Sequence, residues 1–306
     1  MIEARGLTKR YGDKVAVDDL SFTIPSGTVT GFLGPNGAGK STTMRMIVGL
    51  DRPTSGSVTV NGRPYRHYRS PLREVGALLD AKAMHPGRTA RSHLRALAAS
   101  HRIPASRVDQ VVEMTGLSSV AHKRVGGFSL GMGQRLGIAV ALLGDPRVLI
   151  LDEPVNGLDP EGVTWVRTLV RGLAEEGRTV LISSHLMSEM AMTADHLLVI
   201  GRGRIIADGP VQDVIDAATG AVVTVRSPQA GELAARLRVD GLGVEKAEGD
   251  TLRLRGTTTQ AVGELAARHG VVLHELSLHR ASLEEAYLNL TGSAVEYRTT
   301  TTETSR

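Results

Sequence analysis

The chain has 306 residues, long enough for two domains, and its 41% hydrophobic and 22% charged residues exclude disorder along the whole length. Cysteine is absent, which excludes disulfides, zinc–thiolate sites and thiol catalysis. The formal charge of +4 is unevenly spread: Arg63 to Arg107 carries ten Lys and Arg against Glu74 and Asp80, a +8 block on an otherwise slightly acidic chain.

In chain order, Tyr11-Gly12 falls in an N-terminal strand–turn segment. Val29 to Leu33 is apolar and runs into a Gly-rich turn, and Ser41 to Leu50 reads as a helix. Gly56 to Val60 reads as a strand before the turn Asn61-Gly62. About Pro86 to Lys123 is Arg-rich, helical and without a clear strand, so it reads as a helical insertion. Val148 to Leu151 is a short apolar run, as expected of a strand buried on both faces. Gly162 to Glu176 has helical spacing, and Val180 to Ile182 and His196 to Ile200 read as further buried strands. Gly209-Pro210 closes this part, and Val211 to Thr219 reads as a connecting helix. Strands alternating with helices predict an α/β fold around a mainly parallel sheet.

The pattern restarts after Gly220. Ala221 to Arg226 reads as strand, Gln229 to Arg238 as helix, and Gly243 to Ala247 with Thr251 to Arg255 as a hairpin. Thr258 to His269 reads as helix and Val271 to Leu276 as strand. That β-α-β-β-α-β order predicts a small α+β, ferredoxin-like domain over 221–292. Ser282 and Glu285 form a capping box for a last helix, and the tail 293–306 is expected to be largely disordered. His269, His274 and His279 share no helix or strand face and read as surface histidines. No apolar run reaches about 18 residues and no signal-peptide pattern is present, so a cytosolic location without a span of its own is expected.

The strongest motif is Gly34-Pro35-Asn36-Gly37-Ala38-Gly39-Lys40-Ser41-Thr42, a G-x-x-x-x-G-K-[ST] phosphate loop between strand and helix. Its backbone N–H groups and the new helix's positive end suit phosphate oxygens. Lys40 is placed for the β- and γ-phosphates, and Ser41 for Mg²⁺. The strand Val148 to Leu151 ends in Asp152-Glu153: Asp152 as a second Mg²⁺ holder, Glu153 to polarise the attacking water. His185 comes after the next parallel strand and points to the same γ-phosphate region. Tyr11, one of nine aromatic residues (one Trp, five Tyr, three Phe), can stack on adenine or be an ordinary edge-strand aromatic.

With Tyr11, the phosphate loop, Phe128-Ser129-Leu130-Gly131-Met132-Gly133-Gln134-Arg135, Asp152-Glu153, Asn156-Gly157-Leu158-Asp159 and His185 in this order, residues 1 to about 215 resemble an ABC-transporter ATPase subunit. The resemblance implies a P-loop ATPase core with a helical subdomain near 86–123. It implies a head-to-tail homodimer with two ATP molecules at the interface. Ser129, Gly131 and Gln134 would serve the ATP of the second copy, and Asp159 would link the two sites. The family's signature is Leu-Ser-Gly-Gly-Gln, so Phe128, Leu130 and Met132 depart from it while Ser129 and Gly131 match. Asp80 stands where the family has a glutamine, and is expected in the site, where an acid can hold Mg²⁺ or water, without taking the glutamine's role.

The variant signature, Asp80 and the C-terminal extension are similar to the daunorubicin- and bacitracin-resistance branch. That branch implies a drug or antibiotic exporter whose span is on a separate multi-span permease, at the cytoplasmic face of the plasma membrane. The basic block is then read as a membrane-side docking face, with a plain solvated face as the alternative. The alternatives are an importer or lipid-transport energiser, and a soluble nucleic-acid-associated ATPase. The second is disfavoured by a single core and the lack of coiled-coil or zinc modules, so no specific nucleic-acid partner is expected. Lys40, Ser41 and Glu153 together argue against a binding module without hydrolysis.

Overall fold

The computed structural model describes residues 1–80, 84–220, 222–239, 243–279 and 281–292. The expected disordered tail 293–306 and the first residue of the strand placed at Ala221 lie outside them. The chain divides into two compact units, Met1–Val211 and Gln212–Leu290.

The first unit opens with β1 (Ile2–Tyr11) and β2 (Lys14–Ile24), followed by β3 (Val29–Leu33), α1 (Lys40–Ile47) and β4 (Ser55–Val60). Strands β2, β1 and β4 form a separate antiparallel sheet in that order. Then come α2 (Pro71–Glu74), β5 (Val75–Leu78), α3 (Ala90–Ser100), α4 (Ala105–Met114), α5 (Leu130–Leu142), β6 (Val148–Leu151), α6 (Pro160–Glu175), β7 (Thr179–Ser183), α7 (Met187–Thr193), β8 (His196–Gly201) and β9 (Arg204–Pro210), and α8 (Val211–Thr219) opens the second unit. Six strands form the central sheet in the order β5-β6-β7-β3-β8-β9. It is parallel except at its edge, where β9 runs antiparallel to β8. Gly209-Pro210 ends that edge strand, where a proline costs no inner ladder bond.

Every residue of β3, β6 and β7 is buried. That is why these strands read as unbroken apolar runs: a parallel strand covered on both faces has no polar side to alternate with. Predicted helix α6 carries Val166, Val170 and Leu173 on its buried stripe, at the spacing expected of an amphipathic helix. The predicted insertion is the helix pair α3 and α4. α3 is capped by Thr89, whose side chain accepts from Ser92 N, and α4 buries Val108, Val111 and Val112.

Close backbone packing fixes the insertion's neighbour α5 against the sheet. A Cβ at Gly76 in β5 would stand 1.9 Å from the Ala141 carbonyl oxygen and 2.8 Å from its carbon. Gly76→Ala must therefore push strand and helix apart, and is expected to lower stability by about 1–3 kcal/mol, measured as the shift of the denaturant midpoint.

The second unit contains β10 (Val222–Arg226), α9 (Ala230–Val239), β11 (Gly243–Glu248), β12 (Thr251–Arg255), α10 (Thr259–Arg268), β13 (Glu275–His279) and α11 (Leu283–Thr291). Its sheet order is β11-β12-β10-β13, antiparallel throughout. Val223, Val225, Leu252 and Leu254 form one buried face with Leu233, Leu237, Val262 and Leu265 of the helices. The other face carries the exposed Arg226, Arg253 and Arg255, of which Arg255 Nε pairs with Glu245 at 2.8 Å. The last strand differs from the expected Val271 to Leu276. Gly270 turns the chain after α10, Val271 packs into the core and Val272 N donates to Gln229 Oε1, so pairing begins only at Glu275 opposite Arg226. His269 caps the end of α10 and His274 is exposed. The His279 side chain lies outside what is described.

Candidate functional site

The order β6-β7-β3 decides where the chemistry sits. Adjacent strands are about 4.8 Å apart, so the ends of these three parallel strands lie within about 10 Å of one another. β3 leads into the phosphate loop, β6 into Asp152-Glu153, and β7 into Ser183, Ser184 and His185. Ligands in open α/β sheets bind at such carboxyl ends.

The loop from Pro35 to Thr42 lines a cavity of about 400 Å³ together with Tyr11, Lys14, Asp152 and Glu153. Gly39, at φ +107°, is the residue before α1, and a Cβ there would meet the Ala16 carbonyl at 2.5 Å. Only glycine lets the loop turn this tightly into the helix. Lys40 Nζ donates to the carbonyls of Gly34 and, at 3.2 Å, Pro35. Burial pulls the Lys40 ammonium below its ordinary range, and the charges of Glu153 and Asp152 pull it back up.

Ser41 Oγ donates to Asp152 Oδ2 at 2.8 Å. A hydroxyl and a carboxylate side by side at the start of α1 are the hard oxygen donors that Mg²⁺ takes alongside substrate phosphates. Among the described residues no cluster of three or more His, Asp or Glu can hold a metal alone. The donor set thus fits a metal that arrives with a triphosphate.

Glu153 has an unusual backbone for a non-glycine residue, at φ +50°. Its N–H donates to Ser183 Oγ at 2.9 Å, and its carboxylate Oε2 lies 2.8 Å from His185 Nδ1. Ser183 Oγ also donates to Asp152 Oδ1. Ser183 is fully buried and was not singled out from the sequence; the available signal was a hydroxyl closing an apolar run just ahead of Ser184 and His185. The structure brings Ser41, Asp152, Glu153 and His185 together through Ser183, with Lys40 lining the same cavity.

Tyr11 is half-exposed at the mouth of the same cavity. Its hydroxyl donates to Asp51 Oδ2 at 2.9 Å, and the Lys9 ammonium lies 4.8 Å from the ring centre. Arg45, at 2.8 Å, holds the Asp51 carboxyl below its ordinary range. Asp51 too was missed, because nothing in its sequence context marks it as a partner of a residue 40 positions earlier.

Asp80 comes after β5 and lines a different cleft, of about 810 Å³, with Ser41, Arg45, Met84, His93 and Leu97. It is not among the residues lining the phosphate-loop cavity. Ser41 lines both.

The segment at 128–135 opens α5. Ser129 is its N-cap, with Oγ accepting from Met132 N at 3.2 Å. Gly131 approaches the loop before α6, where a Cβ would lie 2.9 Å from Gly157 O. A Cβ at Gly157 would in turn meet Leu130 Cδ2 at 2.3 Å, so the bulky Leu130 is accommodated by a bare backbone opposite it. Asp159 spends its carboxylate on its own chain, accepting from Gly162 N at 2.9 Å to cap α6.

Gln134 requires a correction. The expectation grouped it with Ser129 and Gly131 as a residue offered to a second copy. Its side chain is instead buried and donates to the Glu153 carbonyl of its own chain at 2.7 Å. One turn and a half into the helix, it faces inward.

The ABC transporter family model matches residues 17–156, and a model for a domain of unknown function matches 221–284. An uncharacterized ABC transporter ATP-binding protein of Bacillus subtilis, YhcH, is 37% identical over 300 residues, covering 97% of each chain. The bacitracin transport ATP-binding protein BcrA of Bacillus licheniformis is 43% identical over 215 residues, covering 69% of this chain and 70% of its own. The Nod factor export ATP-binding protein I of Burkholderia lata is 36% identical over 308 residues, covering 96% of this chain and 98% of its own. These similarities are not confined to one drug-exporter branch. A solved dimeric bacterial ABC transporter cassette has the same fold, with a TM-score of 0.64 at 23% identity over 69% of this chain and 98% of that one.

Proposed function

The chain belongs to the ABC transporter ATP-binding proteins, the ATP-hydrolysing subunits of these transporters, and from that membership we propose that it energises export of a drug, antibiotic or other small amphipathic compound through a separate membrane permease. Among the described residues no helix is long and apolar enough to cross a membrane. Nod factor export, the activity in the name of one relative, supports export as the direction, and bacitracin transport, in the name of another, supports an antibiotic-like cargo.

The site residues take these roles. The loop from Gly34 to Thr42 binds the triphosphate, and Lys40 neutralises its β- and γ-oxygens. Ser41 and Asp152 hold Mg²⁺, which when bound neutralises charge on those oxygens. Glu153 accepts the proton of the attacking water, and His185 at 2.8 Å orients the carboxylate. Tyr11 stacks on adenine, its ring angle set by Asp51. Ser129 and Gly131 present the N-terminus of α5 to the γ-phosphate held by a second copy in a head-to-tail pair. Asp159 lies on the loop packed against that segment. ATP binding draws two copies together, and hydrolysis releases them. The C-terminal unit reads as a ferredoxin-like accessory domain, without a catalytic role.

The observation that carries coupling to a permease is the position of Ser41, which lines both the phosphate cavity and the cleft beside α3. A permease element seated in that cleft lies against Asp80 and the insertion, one side chain away from the nucleotide. The exposed Arg66, Arg69, Arg88, Arg95 and Arg102 belong to the same part of the chain and suit a membrane-side face, each contributing about 1 kcal/mol near anionic lipid. The test is cross-linking in a detergent-solubilised complex. Links from residues 86–123 to a multi-span membrane subunit are expected; an intact complex without them overturns the docking assignment.

A further inference from the structure

The bond between Gln134 and the Glu153 carbonyl joins two places that the proposed function uses separately. Gln134 lies in α5, five residues after Ser129 and three after Gly131, on a continuous helix. At 1.5 Å rise per residue, it sits roughly 7 Å along the axis from the end presented to the second copy's ATP. Its other end of contact is the backbone of Glu153, the residue assigned as general base.

Glu153 is held on three sides. Ser183 at the end of β7 takes its N–H, His185 takes its carboxylate, and Gln134 donates to its carbonyl at 2.7 Å. The Asn156 N–H approaches that carbonyl at 3.3 Å as part of the turn. Ser183 and His185 belong to the sheet and the turn after it. Among the described residues, Gln134 is the only hydrogen-bond partner of Glu153 contributed by α5. The residue it grips sits at φ +50°, a backbone conformation that persists only where its surroundings hold it. Gln134 itself is buried, so no water replaces the donor when it is lost.

We propose that Gln134 is a positioning residue that ties the signature helix of each chain to the Glu153 of the same chain, so that ATP engaged at the second copy's site sets the aim of the general base in its own. The inference rests on the reading of Glu153 as general base. A helix seated on the partner's phosphate holds Gln134 in place, and Gln134 holds the turned backbone from which the carboxylate projects. A helix not so seated leaves the carboxylate without its aim. Hydrolysis in one site then depends on occupancy of the other.

The experiment uses the full-length chain. Gln134→Met fills the same space without a donor, and Gln134→Leu is a second apolar filling. Both are expected to lower kcat on the order of 10- to 100-fold, the scale of a misplaced catalytic group. KM for Mg-ATP should stay within about twofold, since no phosphate contact is touched. The parent rate is expected to rise sigmoidally with ATP, and the variants to lose steepness in that rise. A packing role alone predicts that Gln134→Met restores the parent rate. Turnover of Gln134→Met within about twofold of the parent overturns the proposal, as does a rise in KM that accounts for the loss. Glu153→Gln assayed alongside separates the two readings. If it still turns over, the general-base assignment fails; if it is inactive while Gln134→Met is fully active, only the coupling fails.

Discussion

Glu153→Gln is expected to lower ATP turnover by on the order of 10² to 10⁴-fold, the contribution of a general base, while leaving ATP binding intact. The substitution keeps the shape and removes only the basic oxygen. Gln can still accept from His185, and the backbone bonds to Ser183 and Gln134 do not depend on the side chain. The groups that meet the triphosphate, Lys40 and Ser41, stay where they are. The variant should therefore bind ATP, pair with a second copy and stop there. Two measurements check this: steady-state ATPase rate, and size-exclusion chromatography with and without Mg-ATP. An ATP-dependent dimer with negligible turnover is the expected pair of results. A Glu153→Gln protein that hydrolyses ATP like its parent shows that the water is activated by another group.

Asp152, Glu153 and His185 were readable in the sequence because each follows the end of a buried parallel strand. Val148 to Leu151 and Val180 to Ile182 announce themselves as apolar runs, and the residues just after such a run land at the sheet's ligand-binding edge. The phosphate loop needs its glycines for local reasons, as at Gly39, so its spacing survives in the one-dimensional pattern. The rest of α5 was opaque for the opposite reason. Leu136, Ile138, Ala139, Ala141 and Leu142 are buried around most of the helix, and Gly137 packs so closely that a Cβ would meet Leu78 at 2.5 Å. A helix buried all round shows no amphipathic stripe. The inward direction of Gln134 depends on that packing and so was hidden. A motif gives spacing along the chain, not which way a helix is rolled against its neighbours. Asp51 and Ser183 were invisible as partners for a related reason: hydrogen bonds between residues far apart in sequence leave no local pattern.

Lys40→Ala is expected to weaken ATP binding on the order of 100-fold, because charged hydrogen bonds are worth about 1.5–3 kcal/mol each and their loss leaves phosphate oxygens unmatched. The fold should tolerate the change. Lys40 opens α1, where alanine is a good helix former, and of the two residues whose carbonyls it leaves, Gly34 and Pro35, the second lines an open cavity that water can reach. Charge makes the loss larger than missing contacts alone. Burial disfavours the Lys40 ammonium, and the nearby Glu153 and Asp152 carboxylates are what favour it. With the ammonium gone, those two carboxylates face a polyanion without compensation. This distinguishes Lys40→Ala from Glu153→Gln: the first should prevent the ATP-dependent dimer, and the second should accumulate it. The same electrostatics predict the double variant. Lys40→Ala with Glu153→Gln removes one of the opposing negative charges, so it should bind ATP more tightly than Lys40→Ala alone, while both remain inactive. Calorimetric titration of the three proteins with Mg-ATP reads this directly. Parent-like affinity in Lys40→Ala would remove Lys40 from the phosphate site, and equal affinity in the single and double variants would show that the carboxylate charge at 153 is not felt by the nucleotide.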